Sequence, residues 1–353
     1  MKKLKIVLSA DWHLDSPWEM LSPEKAAQMR RLQREMPHRI SRIAREERAD
    51  LILLAGDLFD SATPYAESVR AVEQAFDGIG IPVFIAPGNH DPLPVWKGIK
   101  LPENVHLFTG EGLECVSTPC AEVYGAAFTR GSKESIELSA PVCGEKPRIL
   151  LLHGDVGGRG EYLPISEKQL AESGFHFAAL GHIHKPSGLK RSSNTWWCYP
   201  GCPMGRGFDE TGARGIMLIT LDGHSCEGEF LELSDRRFEV ISVPVTDKDP
   251  FEALEEAVFS AREGDICRFE LTGRAENVPS VRALETLALK KGLYAAFLSD
   301  RTMPPVNTGD NSLRASLIAL ARERASAGQD VAEALKWALA ALDGGEAPRE
   351  TAQ

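Results

Sequence analysis

Several ordinary features are missing from this sequence. No apolar run reaches the roughly 20 residues that a membrane-spanning helix needs. The start, MKKLKIVLSADWH, enters a strand-like segment directly, without the longer apolar stretch and small-residue cleavage site of a secretory leader. The expected location is the cytoplasm, with no membrane association. Cysteine is sparse: seven scattered through 353 residues, an odd number that excludes a disulfide framework. Cys198 and Cys202 form a C-x3-C pair, but no second pair follows at zinc-finger spacing, so reduced thiols are expected rather than a structural zinc. Basic excess is missing too, since the formal net charge is −11. A chain that grips nucleic acid unaided carries an obvious basic surface. The balance excludes a simple electrostatic DNA binder. It leaves room for an enzyme whose site carries bound dications, or one that shares its substrate with a partner. There is no internal repeat and no low-complexity tract.

What is present is the composition of a globular protein, 43% hydrophobic and 26% charged, long enough for a large domain plus one or two smaller units. LKIVLSA, DLILLAG, PVFIAPG, RILLLHG and FAALGH read as strands, each ending in a polar or glycine-rich turn. Residues 23–50 and 65–79 have helical periodicity, so strand–helix alternation predicts an α/β core. The later segments VHLF, LECVS, AEVYGAAF, TWWCYPG and RGIMLITL predict a second, more antiparallel sheet. After FEVISVPV, which is read as closing the first domain, the pattern changes to helix (PFEALEEAVFSAREG), strand (DICRFELTG), helix (VPSVRALETLALKKG) and strand (LYAAFLSD). The expected division is a first domain over residues 1–244, a small α+β domain over 245–303 and a C-terminal helical segment over 304–353.

The chemistry gathers at the strand ends. SADWH supplies Asp11 and His13, LAGDLFD supplies Asp57 and Asp60, and APGNHD supplies Asn89, His90 and Asp91. LLHGD adds His153, and LGHIH adds His182 and His184. In open α/β sheets the carboxyl ends of strands face one crevice, so these residues converge. Asp11 and His13, like His182 and His184, are two apart, which in extended backbone aims both side chains of a pair to one side. Gly56 and Gly88 let the chain turn where a Cβ would intrude. Carboxylate, imidazole and amide together suit Mn²⁺, Fe²⁺ or Zn²⁺, and paired ions clamp oxygens in phosphoester hydrolysis. A lone H-x-H or Gly-Asp is more often surface or turn than ligand. Five of the nine histidines at these strand ends make coincidence a poor account.

The order D-x-H, GD-x-x-D, GNHD, H, GH-x-H resembles the calcineurin-like metallophosphoesterase superfamily over residues 1 to about 220. The resemblance implies a two-sheet sandwich flanked by helices, with one metal held by Asp11, His13, Asp57 and His184. It implies a second metal held by Asp57, Asn89, His153 and His182, with Asp57 and a water or hydroxide bridging the two. His90 would stand off the metals, stabilising the phosphorus centre and protonating the leaving oxygen. Asp60 would orient His90 through its other ring nitrogen, the competing reading being a helix N-cap.

Further on, YPGCPMGRGFDETGARG (residues 199–215) resembles the segment after GH-x-H in SbcD-type DNA repair exonucleases, with Cys202 at a usual serine. The phosphatase signature GD-x-x-D-R-G is absent, since Ser61 and Ala62 follow Asp60. This likeness implies Mn²⁺-dependent 3′→5′ exonuclease and endonuclease action on DNA, with the small domain as a cap. It also implies an SbcC-like coiled-coil ATPase partner, bound through the C-terminal helices or the cap, and homodimerisation through the first domain. Arg130, Arg159, Lys185, Arg191 and Arg206 are candidate phosphate contacts, and Trp196 or Trp197 a candidate base-stacking group. Leu313, Ile318, Leu320, Leu335, Leu339 and Leu342 recur at helical spacing, for a partner helix or for their own domain. Two other readings stay open: a phosphodiesterase for small nucleotides or other phosphoesters, and a weakly active structural subunit of an ATPase complex.

Overall fold

A run such as Leu51-Ile52-Leu53-Leu54 carries apolar side chains on both sides of the backbone, so a strand made from it must be covered on both faces. The computed structural model describes residues 3–139, 146–158, 160, 162–223, 225–275, 277–304, 312–329 and 331–342. It meets that requirement with two stacked sheets. The chain divides into two compact units, the first Met1–Arg206 with Ala213–Ser234, the second Gly207–Gly212 with Asp235–Gln353.

In chain order the first unit holds β1 (Leu4–Ser9), α1 (Pro23–Glu46), β2 (Leu51–Leu54), α2 (Ala66–Phe76), β3 (Val83–Ile85) and β4 (Val105–Leu107). Next come β5 (Glu114–Ser117), β6 (Glu122–Gly125), β7 (Arg148–His153), β8 (Asp155–Val156), β9 (Pro164–Ile165) and α3 (Glu167–Glu172). It ends with β10 (Phe177–Gly181), β11 (Lys190–Ser192), β12 (Thr195–Cys198), β13 (Gly215–Asp222) and β14 (Ser225–Glu232). The first sheet runs β14-β13-β1-β2-β3-β4, with β1 to β4 parallel and β13 antiparallel to both neighbours. The second runs β11-β12-β10-β7-β6-β5. Strands β8 and β9 form a small parallel pair of their own.

The second sheet differs from the antiparallel one expected. Its four central strands β12, β10, β7 and β6 are parallel, and only the edge strands β11 and β5 run the other way. RILLLHG and FAALGH, which the sequence groups with the first sheet, are its centre, while VHLF and RGIMLITL belong to the first sheet. The pairing is decided by what covers each strand. Ile6, Leu8, Leu53 and Phe84 of the first sheet share one buried cluster with Val123, Ile149, Leu151 and Phe177 of the second. Leu150, Leu152, Leu180 and Trp197 of the second sheet pack with Leu170 of α3 in another cluster. Fully burying each such Leu or Ile contributes about 2 kcal/mol.

Helix α1 begins at Ser22, whose hydroxyl accepts from the Lys25 N–H, with Pro23 in the first turn. It buries Met29, Met36 and Ile40 and packs against α2 and β1. With β1, β2 and β3 parallel in one sheet and β7 and β10 in the other, all five carboxyl ends open on one edge.

The second unit contains β15 (Phe238–Pro244), α4 (Pro250–Ser260), β16 (Ile266–Arg274), α5 (Val281–Lys291), β17 (Ala295–Met303), α6 (Leu313–Ser326) and α7 (Ala332–Leu342). Its sheet β15-β16-β17 is wholly parallel, and Leu254, Val258 and Leu284 of α4 and α5 pack on Val243, Phe269 and Leu271. FEVISVPV, read from sequence as the end of the first domain, pairs with β16 in this sheet. In α6 and α7, Ile318, Leu335 and Leu339 form their own buried cluster, whereas Leu313, Leu320 and Leu342 are exposed. Pro305, Asn311 and the tail beyond Leu342 lie outside the described residues.

Candidate metal centre

Strands β1 and β10 stop one or two residues before their polar groups and β2 and β3 three or four before theirs, while β7 ends on His153 itself; after β1, β2 and β10 the chain turns sharply. Asp11, His13 and Asp57 have φ of 54°, 45° and 54°, and His182 has φ of 102°. These left-handed conformations are costly for residues with a Cβ and cluster at functional sites. They also correct the expectation drawn from residue spacing. Asp11 and His13 lie beyond β1, and His182 and His184 beyond β10, so neither pair is aimed by extended backbone. Tight turns aim them. Gly56, at φ 83°, makes such a turn possible: a Cβ there would lie 2.8 Å from the Ala86 carbonyl, the Gly88 nitrogen and His153 Nδ1.

Asp57 is the hub. Its Oδ2 lies 3.8 Å from His13 Nε2 on one side and 3.3 Å from His153 Nε2 on the other. Its Oδ1 accepts the His90 N–H at 2.9 Å. His13 Nε2 is 3.2 Å from His184 Nε2, which is 3.9 Å from Asp11 Oδ1. Asn89 Oδ1 lies 2.9 Å from His153 Nε2. Three groups have donor atoms within 4.8 Å of one another: Asp11, His13 and His184; His13, Asp57 and His90; Asp11, Asp57 and His153. His182 belongs to none of these groups. Its N–H donates to Asp11 Oδ1 at 3.1 Å, and its ring centroid stands 5.3 Å from that of His153.

The donors fit divalent cations. His153 Nδ1 donates to the Ala55 carbonyl at 2.8 Å, which leaves Nε2 facing Asp57. Asp11 and Asp57 are both buried, and burial with a like charge nearby pushes the Asp11 carboxyl up. Burial drives His13 down to about 4, and burial with the neighbouring His153 charge drives His182 down to about 4, so both stand as neutral imidazoles at neutral pH. His153 differs: burial opposes its charge, but the Asp57 carboxylate prevails and lifts it to about 9. An ion entering there would displace a proton.

Beside this cluster His90 is half-exposed, its side chain 48% accessible. Its Nδ1 is 3.2 Å from Asp60 Oδ1, the same oxygen that lies 2.9 Å from His13 Nδ1. Asp60 is therefore not an N-cap; the residue at that position of α2 is Tyr65, with no capping side-chain bond. The Asp60 bond, working against burial, raises the His90 pKa. Asp91 is fully buried and accepts three backbone N–H groups, from Asp57 (3.0 Å), Leu58 (2.8 Å) and Gly88 (2.8 Å).

Of the basic candidates, Arg206 is at the centre: Nη2 is 3.2 Å from His184 Nδ1 and Nη1 is 3.8 Å from Asp60 Oδ1. Lys185 and Arg130 are exposed on adjoining loops, the latter next to Gly131, where an added Cβ would lie 3.6 Å from the Asn89 carbonyl. Arg191 instead sits on β11, its guanidinium 4.9 Å over Trp196. Trp197 is buried under Lys190. Arg159 lies outside the described residues. Sequence reasoning gave no role to Arg214, buried and donating to the His184 carbonyl, or to Tyr199, whose hydroxyl donates to the Gly154 carbonyl at 2.8 Å. Both lie in the YPG…RG stretch, where an arginine opening a buried strand was the available signal.

Comparison with known proteins agrees with this geometry. Residues 4–186, more than half of the chain, match the family model of the calcineurin-like phosphoesterases. A Bacillus subtilis protein described as an uncharacterized metallophosphoesterase, YhaO, is 32% identical over 273 residues, covering 72% of this chain and 66% of the relative, just under two thirds of its length. No helix among the described residues is long and apolar enough to cross a membrane. The chain belongs to the calcineurin-like phosphoesterase family, whose members hydrolyse phosphoesters at metal centres.

Proposed function

We propose that this protein is a two-metal phosphodiesterase acting on DNA, a 3′→5′ exonuclease with endonuclease capacity. The observation that carries the reading is Asp57 Oδ2, placed between His13 Nε2 and His153 Nε2 with His90 standing off at the open side. Asp11, His13, Asp57 and His184 would hold one ion; Asp57, Asn89, His153 and His182 the other. Divalent ions here, Mn²⁺ foremost, would supply Lewis-acid charge to the phosphodiester and activate the attacking water. The chain's own groups do the rest. Asp60 holds the proton on His90 Nδ1, so Nε2 of the imidazolium faces the substrate and delivers its proton to the leaving oxygen. Arg206 meets a non-bridging phosphate oxygen, with Lys185 and Arg130 contacting the strand further out.

DNA is favoured as substrate by the likeness of residues 199–215 to SbcD-type exonucleases and by the exposure of His90, which suits a large substrate. The net charge of −11 is reconciled with DNA by a coiled-coil ATPase partner carrying much of the binding surface. That partner would dock on the exposed Leu313, Leu320 and Leu342 of α6 and α7. The test is an assay with Mn²⁺ on 3′-labelled and 5′-labelled DNA beside a panel of cyclic nucleotides and small diesters. Mononucleotides released from 3′ ends, and stopped by a chelator, are expected. Intact DNA with cyclic-nucleotide turnover would overturn the reading in favour of a small-molecule phosphodiesterase.

A further inference from the structure

The run YPGC, residues 199–202, follows β12 and lies between two segments that carry candidate ligands. On one side is the chain that leaves His184. The Ser187 N–H donates to the Tyr199 carbonyl at 3.1 Å, and the Tyr199 N–H donates back to Ser187 Oγ at 2.9 Å. The Cys202 N–H donates to the His184 carbonyl at 3.1 Å. Gly201, at φ 75°, allows this approach: a Cβ there would lie 2.6 Å from the His184 carbonyl oxygen and 2.8 Å from the Pro186 nitrogen. On the other side is the turn that leaves His153. The Tyr199 hydroxyl donates to the Gly154 carbonyl at 2.8 Å and accepts the Val156 N–H at 2.8 Å. All these residues belong to the first unit.

We propose that Tyr199 is a positioning residue for the metal centre: its hydroxyl fixes the turn after His153 while its backbone fixes the loop after His184. The proposal rests on reading the cluster as a metal centre, and not on DNA as the substrate. Tyr199 is buried, with its ring edge-on to Trp197. A phenol both donates and accepts, so a single oxygen ties the two ends of the turn, Gly154 and Val156. The His153 ring has its own hold through Nδ1 on the Ala55 carbonyl. What the hydroxyl adds is the direction in which the backbone leaves residue 153. His153 Nε2 lies 3.3 Å from Asp57 Oδ2 and 2.9 Å from Asn89 Oδ1, so a tilt of that backbone is passed to the nitrogen. The Gly154 N–H also donates to the Gly181 carbonyl at 3.1 Å, just before His182. The two ligand-bearing segments are thus joined where β7 meets β10 and joined again through Tyr199. Phenylalanine would keep the ring and its packing, and would leave the Gly154 carbonyl and the Val156 N–H without this partner.

The test measures Mn²⁺ binding to the full chain by titration calorimetry, with amide exchange by mass spectrometry and hydrolysis of bis(p-nitrophenyl) phosphate beside it. Tyr199→Phe should bind one ion about tenfold more weakly, the lower end of what the loss of a ligand's supporting partner costs. Amide exchange should quicken over residues 154–157. Saturating Mn²⁺ should restore wild-type turnover, because Tyr199 acts through the ligands and not on the substrate. Leu170→Ala, in the same buried cluster as Tyr199, should lower the melting temperature at least as far and leave Mn²⁺ binding unchanged. The proposal is overturned if Tyr199→Phe binds Mn²⁺ like wild type, if its turnover stays low with the sites filled, or if Leu170→Ala weakens binding equally. A wild-type chain that binds Mn²⁺ without cleaving the diester would sink the proposed function, while the binding comparison still decides the role of Tyr199. A wild type that binds no divalent ion overturns both.

Discussion

Asp60 lies among three groups that carry or can carry positive charge. One of its oxygens is 2.9 Å from His13 Nδ1, 3.2 Å from His90 Nδ1 and 3.8 Å from Arg206 Nη1. That oxygen has two jobs under the proposed mechanism. It fixes the His13 tautomer with Nε2 turned to the centre, and it keeps the proton of His90 against the cost of partial burial. A histidine whose folded pKa is raised stays charged to higher pH, so turnover that needs the imidazolium is full below that pKa and declines above it. Asp60→Asn removes the charge and keeps an oxygen acceptor. The alkaline limb of the pH–rate profile should move to lower pH, with a smaller change on the acid side. An alkaline limb that stays where it is in Asp60→Asn would remove His90 as the proton donor.

Among the elements, the turns after β2 and β3 matter more than the strands. Asp91, from the second turn, accepts the N–H groups of Asp57 and Leu58 in the first and of Gly88 in its own. Three buried backbone donors would be orphaned in Asp91→Ala, at a cost of about 3 kcal/mol or more, since each buried donor left without a partner costs about 1–3 kcal/mol. We expect a thermal midpoint lower by roughly 5–10 °C, with Asp91→Asn, which keeps one acceptor oxygen, falling less. A midpoint unchanged in Asp91→Ala would mean that the brace carries no weight. This scale also separates what the sequence discloses from what it conceals. Runs like LKIVLS and LILL are legible because central strands are buried on both faces. Strand β14, SCEGEFLE, has one mostly exposed face and no such run, and went unread. The left-handed turns at Asp11, His13 and Asp57 were hidden as well, because nothing in residue type forces a non-glycine residue to positive φ; surrounding hydrogen bonds do. The spacing argument therefore named the right neighbours for a geometric reason that the backbone does not use.

For the whole molecule, ligand types at the ends of five apolar runs were enough to foresee one converging centre. The topology that assembles it was not legible, because strand pairing is settled by tertiary cover: β7 and β10 join the second sheet, not the first. Arg206 and Arg214 gave no signal of their shared grip on His184, since their approach is set by loop conformation and not by residue type. The acidic net charge enters at this scale too. Under the proposed function it bears on how the chain would meet DNA, by steering and by partnership, and leaves the chemistry proposed for Asp57 and His90 untouched. That chemistry is the central claim: a paired-ion centre with a proton donor that is not a ligand. The most direct measurement is elemental analysis of bound metal with DNA hydrolysis, wild type beside His90→Ala. The account predicts two ions per chain in both proteins and a loss of turnover of about 10²–10⁴-fold in the variant. A His90→Ala protein that loses an ion, or one that keeps both and degrades DNA at the wild-type rate, would contradict it.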